Sequence, residues 1–346
     1  MTKVYVGMSG GVDSSLTAAL LVEQGYDVTG VYMKNWTQDL PGMRCPWADD
    51  LADAKRVAVQ LGIDFKVFDF ENEYRQKVVE YMIDEYKNGR TPNPDIMCNQ
   101  EVKFKLFLEA ALEDGADMIA TGHYARVKDG VLLQAVDANK DQTYFLYRVT
   151  GEALRKTLFP LGEFTKPVVR EMAKERGLYT AAKKDSQGIC FVGQIGIREF
   201  LSQYVEQKAG AIIDKQTGAV LGQHDGAIFY TIGQRHGLDV GGGLPYYVVG
   251  KDMDANEVYV TTNLNDDALW KPELTVVNAH WINERPQEGD YQIRVRHRAP
   301  LANARLTFTQ DNEVKLVLDS PERAVAPGQS IVMYDGDRCI GGGIVV

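Results

Sequence analysis

The stretch Ser9-Gly10-Gly11-Val12-Asp13-Ser14-Ser15 constrains this chain more than any other, because of what stands on either side of it. Val4 to Met8 before it reads as a buried strand, and Leu16-Thr17-Ala18-Ala19-Leu20-Leu21-Val22 after it reads as a helix. A strand that turns through two glycines into a helix leaves the first helical N–H groups without partners, and the helix dipole adds partial positive charge there. Phosphate fits such a place. Adjacent glycines let the backbone approach the anion, and Ser9, Ser14 and Ser15 add hydroxyl donors. Asp13 is the odd member. A carboxylate beside a phosphate repels it unless a cation lies between them, which suggests a magnesium–nucleotide complex. The same residues also fit a Gly-Ser turn that merely caps a structural helix.

The first half of the chain alternates two patterns. Strand-like runs at Val4–Met8, Val28–Met33, Phe65–Phe70 and Met118–Thr121 are separated by helical stretches near Ser14–Gln24, Asp49–Leu61, Glu73–Asn88 and Glu101–Glu113. This order predicts an α/β domain with a parallel, Rossmann-like sheet and ligands at the carboxyl ends of its strands. After Cys190 a short helical piece, Ile197–Gln207, leads into alternating runs broken by Thr217-Gly218, Asp225-Gly226, Gly241-Gly242-Gly243, Asp335-Gly336 and Gly341-Gly342-Gly343. Such punctuation predicts two small, mainly β domains. Pro272 and the strands from Leu274 mark the last, barrel-like one. The expected boundaries are 1–199, 200–268 and 269–346.

At 346 residues the chain is long enough for these domains, and no apolar run approaches membrane-spanning length. Met1-Thr2-Lys3 runs straight into the first strand, so the reading predicts no signal peptide and a cytoplasmic monomer with no membrane association. The net charge of −10 argues at first sight against a nucleic-acid partner. Basic residues nevertheless outnumber acidic ones between Lys140 and Asp185. Arg294, Arg296 and Arg298 alternate along a strand-like run, which would place all three on one face.

Four cysteines make no disulfide scaffold here, and no Cys-x-x-Cys pair suggests a protein-held metal. Cys98 lies in Thr91-Pro92-Asn93-Pro94-Asp95-Ile96-Met97-Cys98-Asn99, where two prolines predict a rigid loop with no regular helix before Glu101. Cys190 follows the basic pair Lys183-Lys184, and nearby cations raise a thiolate fraction. Both read as reactive. Cys339 reads as a small core hydrophobe, and Cys45 fits either description.

The Lys-Ser/Thr pair of the P-loop is absent from residues 9–15, and their glycine spacing does not give the dinucleotide fingerprint. The loop resembles instead the PP-loop of the ATP pyrophosphatase superfamily, which cleaves ATP to AMP and pyrophosphate and typically adenylates a carbonyl oxygen. Further matching segments follow in order. They are Thr91 to Asp95 with Cys98-Asn99, Ala120-Thr121-Gly122-His123-Tyr124-Ala125, Lys140-Asp141-Gln142-Thr143-Tyr144-Phe145-Leu146, and Asp185-Ser186 through Cys190-Phe191. Then come Gly222-Gln223-His224, Tyr230-Thr231-Ile232-Gly233-Gln234-Arg235, Pro327-Gly328-Gln329 and the glycines 341–343. Together these resemble the bacterial tRNA-specific 2-thiouridylases across nearly the whole chain.

The resemblance implies thiolation of the wobble uridine in tRNAs for Lys, Glu and Gln. ATP with Mg2+ adenylates the carbon-2 carbonyl oxygen, and sulfur displaces AMP. By the same resemblance Cys190 receives sulfur from a donor protein as a persulfide, and Cys98 is the nucleophile that resolves it through a transient Cys98–Cys190 disulfide. Gly7, Met8, Ser9, Gly10, Gly11, Val12, Asp13 and Ser14 would hold the nucleotide phosphates, with Asp13 at the reaction and Met33 and Gly122 lining adenine and ribose. Asn93, Pro94 and Asp95 would meet the flipped-out base, with His123 also facing the substrate. Lys140, Asp141, Gln142, Arg296, His297 and Gln329 would touch tRNA; at 297 the family's pattern has an aromatic residue.

Two other classes remain open on the residues alone. A PP-loop amidoligase would adenylate a carboxylate and need neither cysteine, and a non-catalytic nucleotide- or RNA-binding protein would release no AMP.

Overall fold

The computed structural model describes residues 1–39, 45–184, 196–241, 243–309 and 313–346. Cys190 with its segment from Asp185 to Phe191, its expected pairing with Cys98, and Gly242 lie outside the described residues.

The first strands in chain order are β1 (Lys3–Gly7), β2 (Asp27–Lys34), β3 (Asp64–Asp69), β4 (Met118–Ala120), a hairpin of β5 (Arg126–Lys128) and β6 (Val131–Leu133), and β7 (Thr157–Leu158). Five of them form a parallel sheet in the order β3-β2-β1-β4-β7. The four expected strands are present, and β7 joins them as a fifth, two residues long and too short for any periodicity to reveal. Val4, Tyr5 and Val6 are fully buried, as a central parallel strand covered on both faces must be.

Helix α1 (Val12–Glu23) carries two apolar faces. Ala18 and Leu21 pack with Val4 and Val6 of the sheet, while Val12, Leu16, Ala19 and Leu20 meet Val169 and Ala173 of helix Lys166–Glu175. The chain leaves β1 toward β2 and β3 on one side, and β4 and β7 lie on the other. The order therefore switches between β1 and β4, which opens a crevice at their carboxyl ends.

Helix α2 is Trp47–Leu61, and two longer helical runs follow at 71–87 and 94–113. The second corrects the sequence reading. The helix begins at Pro94, not near Glu101, and Cys98 stands inside it rather than on a loop. The prolines do not prevent this, because a proline in the first helical turn lacks only an N–H that would have no partner there. Asn93 caps the turn by accepting the Asp95 N–H at 3.1 Å. From Cys98 to Leu106 the run widens into a π-type turn, in which the Phe107 N–H reaches the Val102 carbonyl.

The helix expected over Ile197–Gln207 stops at Leu201. Beyond it β8 (Gly210–Asp214), β9 (Val220–His224), β10 (Tyr247–Asp252) and β11 (Glu257–Thr261) form a sheet in the order β10-β11-β8-β9 over Ile212, Tyr230, Val248, Val258 and Val260.

The last strands are β12 (Trp270–Trp281), β13 (Gly289–Arg294), β14 (Ala302–Phe308), β15 (Val314–Arg323), β16 (Ser330–Asp335) and β17 (Arg338–Val345). They run β12-β15-β14-β13-β16-β17, and β12 pairs back onto β17 to close a six-stranded barrel. Strand β12 starts earlier than Leu274, with Pro272 at the irregularity between Lys271 and Glu273, where a missing donor is tolerated.

The three parts interlock. Hairpin β5–β6 of the first part extends the barrel sheet, Leu132 opposite Cys339 and Leu133 opposite Arg338, which makes Cys339 a core residue. Thr91 donates its N–H to the Pro327 carbonyl at 2.8 Å, and its hydroxyl lies 3.2 Å from that of Thr231. Thr91, just ahead of helix 94–113, thus ties the first domain to both β domains. No helix among the described residues is long and apolar enough to cross a membrane.

Candidate active site

The crevice between β1 and β4 is where the Gly-Ser loop lies. Gly10 has φ +74°, a left-handed conformation, and a Cβ there would overlap the Asp50 carbonyl of α2. The serines brace the loop. The Ser14 hydroxyl accepts the Ser9 N–H at 3.1 Å and donates to the Gly11 carbonyl at 3.2 Å, while Ser15 donates to the same carbonyl at 2.7 Å. Gly11 is the N-cap of α1 and has no side chain with which to satisfy the first N–H groups. From the other side of the crevice comes Gly122, where a Cβ would stand 2.9 Å from the Ser14 nitrogen and the Asp13 carbonyl carbon. Only glycine lets the exit of β4 touch this loop. The Met33 side chain closes over Gly7 at the end of β1.

Two residues that the sequence reading did not single out complete the crevice. The Lys166 ammonium lies 2.7 and 2.8 Å from the two oxygens of Asp13, and the Tyr124 hydroxyl donates to the same carboxylate at 2.9 Å. The Lys166 side chain is only 9% exposed. It opens its helix, next to Thr165 at the N-cap and Pro167 in the first turn. A cation at that end of a helix opposes the dipole, and this is the signal by which the sequence could have marked it. Lys183, which with Lys184 precedes Cys190 in the sequence, lies 2.8 Å from Asp50 and 2.7 Å from Asp53 of α2.

Helix 94–113 meets the same crevice. Phe107 lies against Gly7, and the Phe104 ring stands 5.6 Å from that of His123, the residue after Gly122. Cys98 and Asn99 are buried, at 5% and 3% exposure. The thiol expected to be reactive is thus enclosed: burial pushes its pKa up, offset by the Lys103 charge, with Asp95 raising it further and a Tyr74 hydrogen bond lowering it. Burial also raises the Asp95 carboxyl. Asn99 donates to the Phe145 carbonyl at 3.2 Å, and its own side-chain oxygen has no partner among the described residues.

His123 corrects a second expectation. It is turned inward between Phe104 and Phe159, bonded through Nδ1 to the Thr121 hydroxyl at 2.7 Å, and burial holds it well below the ordinary histidine range. Asp141 corrects a third. Its carboxylate is buried and accepts from Arg294 at 2.9 Å, the Thr143 hydroxyl at 2.8 Å and the Ala135 N–H at 3.0 Å, so it faces the interior rather than solvent.

The arginine row is a fourth correction. Strand β13 ends at Arg294, which is buried against Asp141, while Arg296 and Arg298 are exposed beyond the strand, Arg298 at φ +63°. The strand period that would have aligned them stops at the first, and a buried guanidinium takes the buried carboxylate as partner. Arg296 donates to the Arg323 carbonyl at 3.0 Å. The His297 ring packs 4.5 Å from that of Phe145, and burial together with Arg298 lowers its pKa to about 4. Gln142 accepts the Tyr124 N–H at 2.9 Å, Gln329 accepts the Ala326 N–H at 3.2 Å, and the Lys140 N–H bonds the Asp137 carbonyl at 3.0 Å.

A cleft of about 460 Å³ lies off the ends of β2 and β3, lined by Trp36, Gln38, Asp69, Glu71, Asn72, Glu73 and Arg75. It includes none of the loop residues, and three carboxylates make it a poor place for phosphate.

Fold and loop together define an α/β protein of the HUP class followed by a small four-stranded β domain and a closed β barrel. Family models match in that order: a tRNA methyl transferase HUP domain over residues 2–194, a tRNA methyl transferase PRC-barrel domain over 198–262, and an aminomethyltransferase beta-barrel domain over 271–345. The tRNA-specific 2-thiouridylases MnmA of Bacillus cytotoxicus and Bacillus anthracis are each 48% identical over 351 aligned residues, covering 99% of this chain and 94% of theirs. The chain belongs to the tRNA-specific 2-thiouridylase family. Among solved structures it is similar to a 4-thiouridine synthetase in complex with RNA and ATP, at 19% identity and TM-score 0.40 over 58% of this chain and 50% of that one. It is also similar to the NMN synthetase of Francisella tularensis, at 16% identity and TM-score 0.36 over 54% and 66%.

Proposed function

We propose that the protein is a tRNA-uridine 2-sulfurtransferase that consumes ATP. The observation that carries this reading is the juxtaposition at one crevice of an anion-binding glycine loop with a buried lysine and a helix bearing Cys98. The family's name supplies the tRNA uridine as substrate.

The loop fits a nucleoside triphosphate. Gly10 and Gly122 let the loop pack directly against α2 and the exit of β4, the first N–H groups of α1 carry no side-chain cap, and Lys166 supplies charge. Residues 7–14 hold the phosphates, with Met33 and Gly122 beside the adenosine. Mg2+ would accompany the nucleotide, and Asp13 is the residue that would hold it, the metal supplying charge to neutralise the phosphates while Lys166 would bind them. Oxygen 2 of the uracil attacks the α-phosphorus and pyrophosphate leaves; sulfur then adds at carbon 2 and AMP leaves.

Asn93, Pro94 and Asp95 stand where the helix begins and meet the extruded base. Lys140, Gln142, Arg296, His297 and Gln329 meet the tRNA; Asp141 acts only indirectly, by holding Arg294. The sulfur arrives from a cysteine desulfurase or sulfur-relay protein as a Cys190 persulfide. Attack of the Cys98 thiolate forms the Cys98–Cys190 disulfide, and two thiol electrons reduce the sulfane sulfur. An external dithiol must restore both cysteines at each turnover.

The test is mass spectrometry of nucleosides from unmodified tRNA for Glu after incubation with Mg-ATP, a sulfide source and reductant. The expected result is 2-thiouridine with AMP and pyrophosphate, lost in Cys190→Ser when sulfur is offered through a donor protein, while ATP and tRNA binding survive. AMP release without tRNA and without thiolation would support an amidoligase. A methylated nucleoside would support the chemistry in the family-model description, and no AMP at all a non-catalytic binder.

A further inference from the structure

Helix 94–113 carries a lysine whose placement the fold explains only in part. In an ordinary helix, residues five apart point about 140° away from each other. The π-type turn over Cys98–Leu106 changes this, because its hydrogen bonds span five residues and bring position i+5 over position i. Cys98 and Lys103 are such a pair. The neighbouring lysines are engaged, Lys77 at 3.1 Å and Lys105 at 3.5 Å from Glu101. Lys103 makes no hydrogen bond or ion pair among the described residues, and its stem is half-buried.

What surrounds Lys103 is a cluster of groups with few partners of their own. On its own helical run Cys98 is buried and Asp95 half-buried, Asn99 has an unpartnered side-chain oxygen, and Phe104, the next residue, packs against His123. The groups facing Cys98 are Lys103 and Asp95 from its own helix and Tyr74 from the run over 71–87. His123, held neutral by burial, adds no positive charge.

We propose that Lys103 is the positioning cation for the Cys98 sulfur: the wide turn brings its ammonium over the thiol and so lets a buried sulfur carry negative charge when it reacts. The proposal rests on the reading that Cys98 acts as a thiolate. It goes beyond that reading by naming the residue that makes the thiolate accessible. It also gives the π-type turn a purpose, since a regular helix would carry Lys103 away from the sulfur.

The experiment follows Cys98 alone. Full-length protein and its Lys103→Met, Lys103→Gln and Lys103→Arg variants are alkylated with iodoacetamide across a pH series, and the Cys98 peptide is quantified by mass spectrometry. Lys103→Met and Lys103→Gln should slow alkylation near neutral pH about tenfold and move the profile to higher pH, while Lys103→Arg stays within about twofold of the native rate. In parallel, kcat for thiolation should fall with KM for ATP unchanged. A Cys98 profile that does not move in whichever neutral variant retains its native melting temperature overturns the proposal, whatever thiolation does. Cys98→Ser run alongside separates the two ideas: undiminished thiolation there would remove Cys98 from the reaction without altering what the alkylation profile says about Lys103.

Discussion

Lys166 is the residue on which the nucleotide reading depends most sharply. Its ammonium holds both oxygens of Asp13, and the pair neutralises itself beside the N-terminus of α1. On the proposed reading a polyphosphate would draw the lysine away and leave Asp13 for the accompanying cation. Lys166→Met is therefore expected to raise KM for ATP at least about tenfold, the loss of one charge-assisted contact of about 1.5–3 kcal/mol. Lys166→Arg should recover part of it, and tRNA affinity should stay unchanged in both. A KM for ATP that is native in Lys166→Met would place the phosphates elsewhere. The sequence displayed the loop because its residues are consecutive, whereas Lys166 reaches Asp13 across 153 positions and only the crossing of the chain brings them together. The same holds for Tyr124, whose neighbours Gly122 and His123 were read for other reasons.

The elements of the first domain were legible where periodicity is long and unambiguous, and obscured where one residue type has two uses. β1, β2 and β4 reappear because buried parallel strands are written as largely apolar runs, and the edge strand β3 because the strand-favouring Phe65, Val67 and Phe68 fall together. Pro92 and Pro94 misled because proline both breaks helices and begins them, and the cap at Asn93 decides between the two. The arginine run misled in the same way. Alternation from Arg294 to Arg298 has a strand period, but the strand ends at its first member. Arg294 is the element-level tie between barrel and α/β domain, with side chains 10% and 1% exposed across its pair with Asp141 and its guanidinium 5.3 Å from the Tyr334 ring. Arg294→Met would leave that carboxylate buried and unpaired, at a cost of about 3–5 kcal/mol in denaturant unfolding of the full chain. Adding Asp141→Leu should return part of the stability, because the desolvated charge is then gone. Equal stability of the single variant and the native chain would show that Thr143 and the Ala135 N–H suffice for Asp141.

At the scale of the whole molecule the three parts are held by small, specific contacts that no local pattern encodes. Gly233, at φ +83°, lies against Ala324 of the barrel, and Thr91 bonds both β domains. Lys251 on β10 belongs to this seam, since its stem approaches Gly89 of the first domain and its ammonium donates to the Tyr230 carbonyl at 2.8 Å. Burial lowers its pKa from 10.5 to about 8. The sign of the consequence follows from proton counting. Between those two values the unfolded chain holds the proton and the folded chain does not, so stability rises as pH increases through that window. Below pH 8 both states are protonated, and the folded state bears the full cost of a partly desolvated charge, at most roughly 3 kcal/mol and less to the extent that water reaches the ammonium. Lys251→Met, which keeps the stem and its packing, is accordingly expected to stabilise the protein at neutral pH and to flatten the rise toward alkaline pH. Denaturant titrations of both proteins at a neutral and an alkaline pH measure the difference. If the native chain instead loses stability between them while Lys251→Met does not, the lysine is a favourable ion at the seam and the junction of the first two domains is wetter than its burial implies.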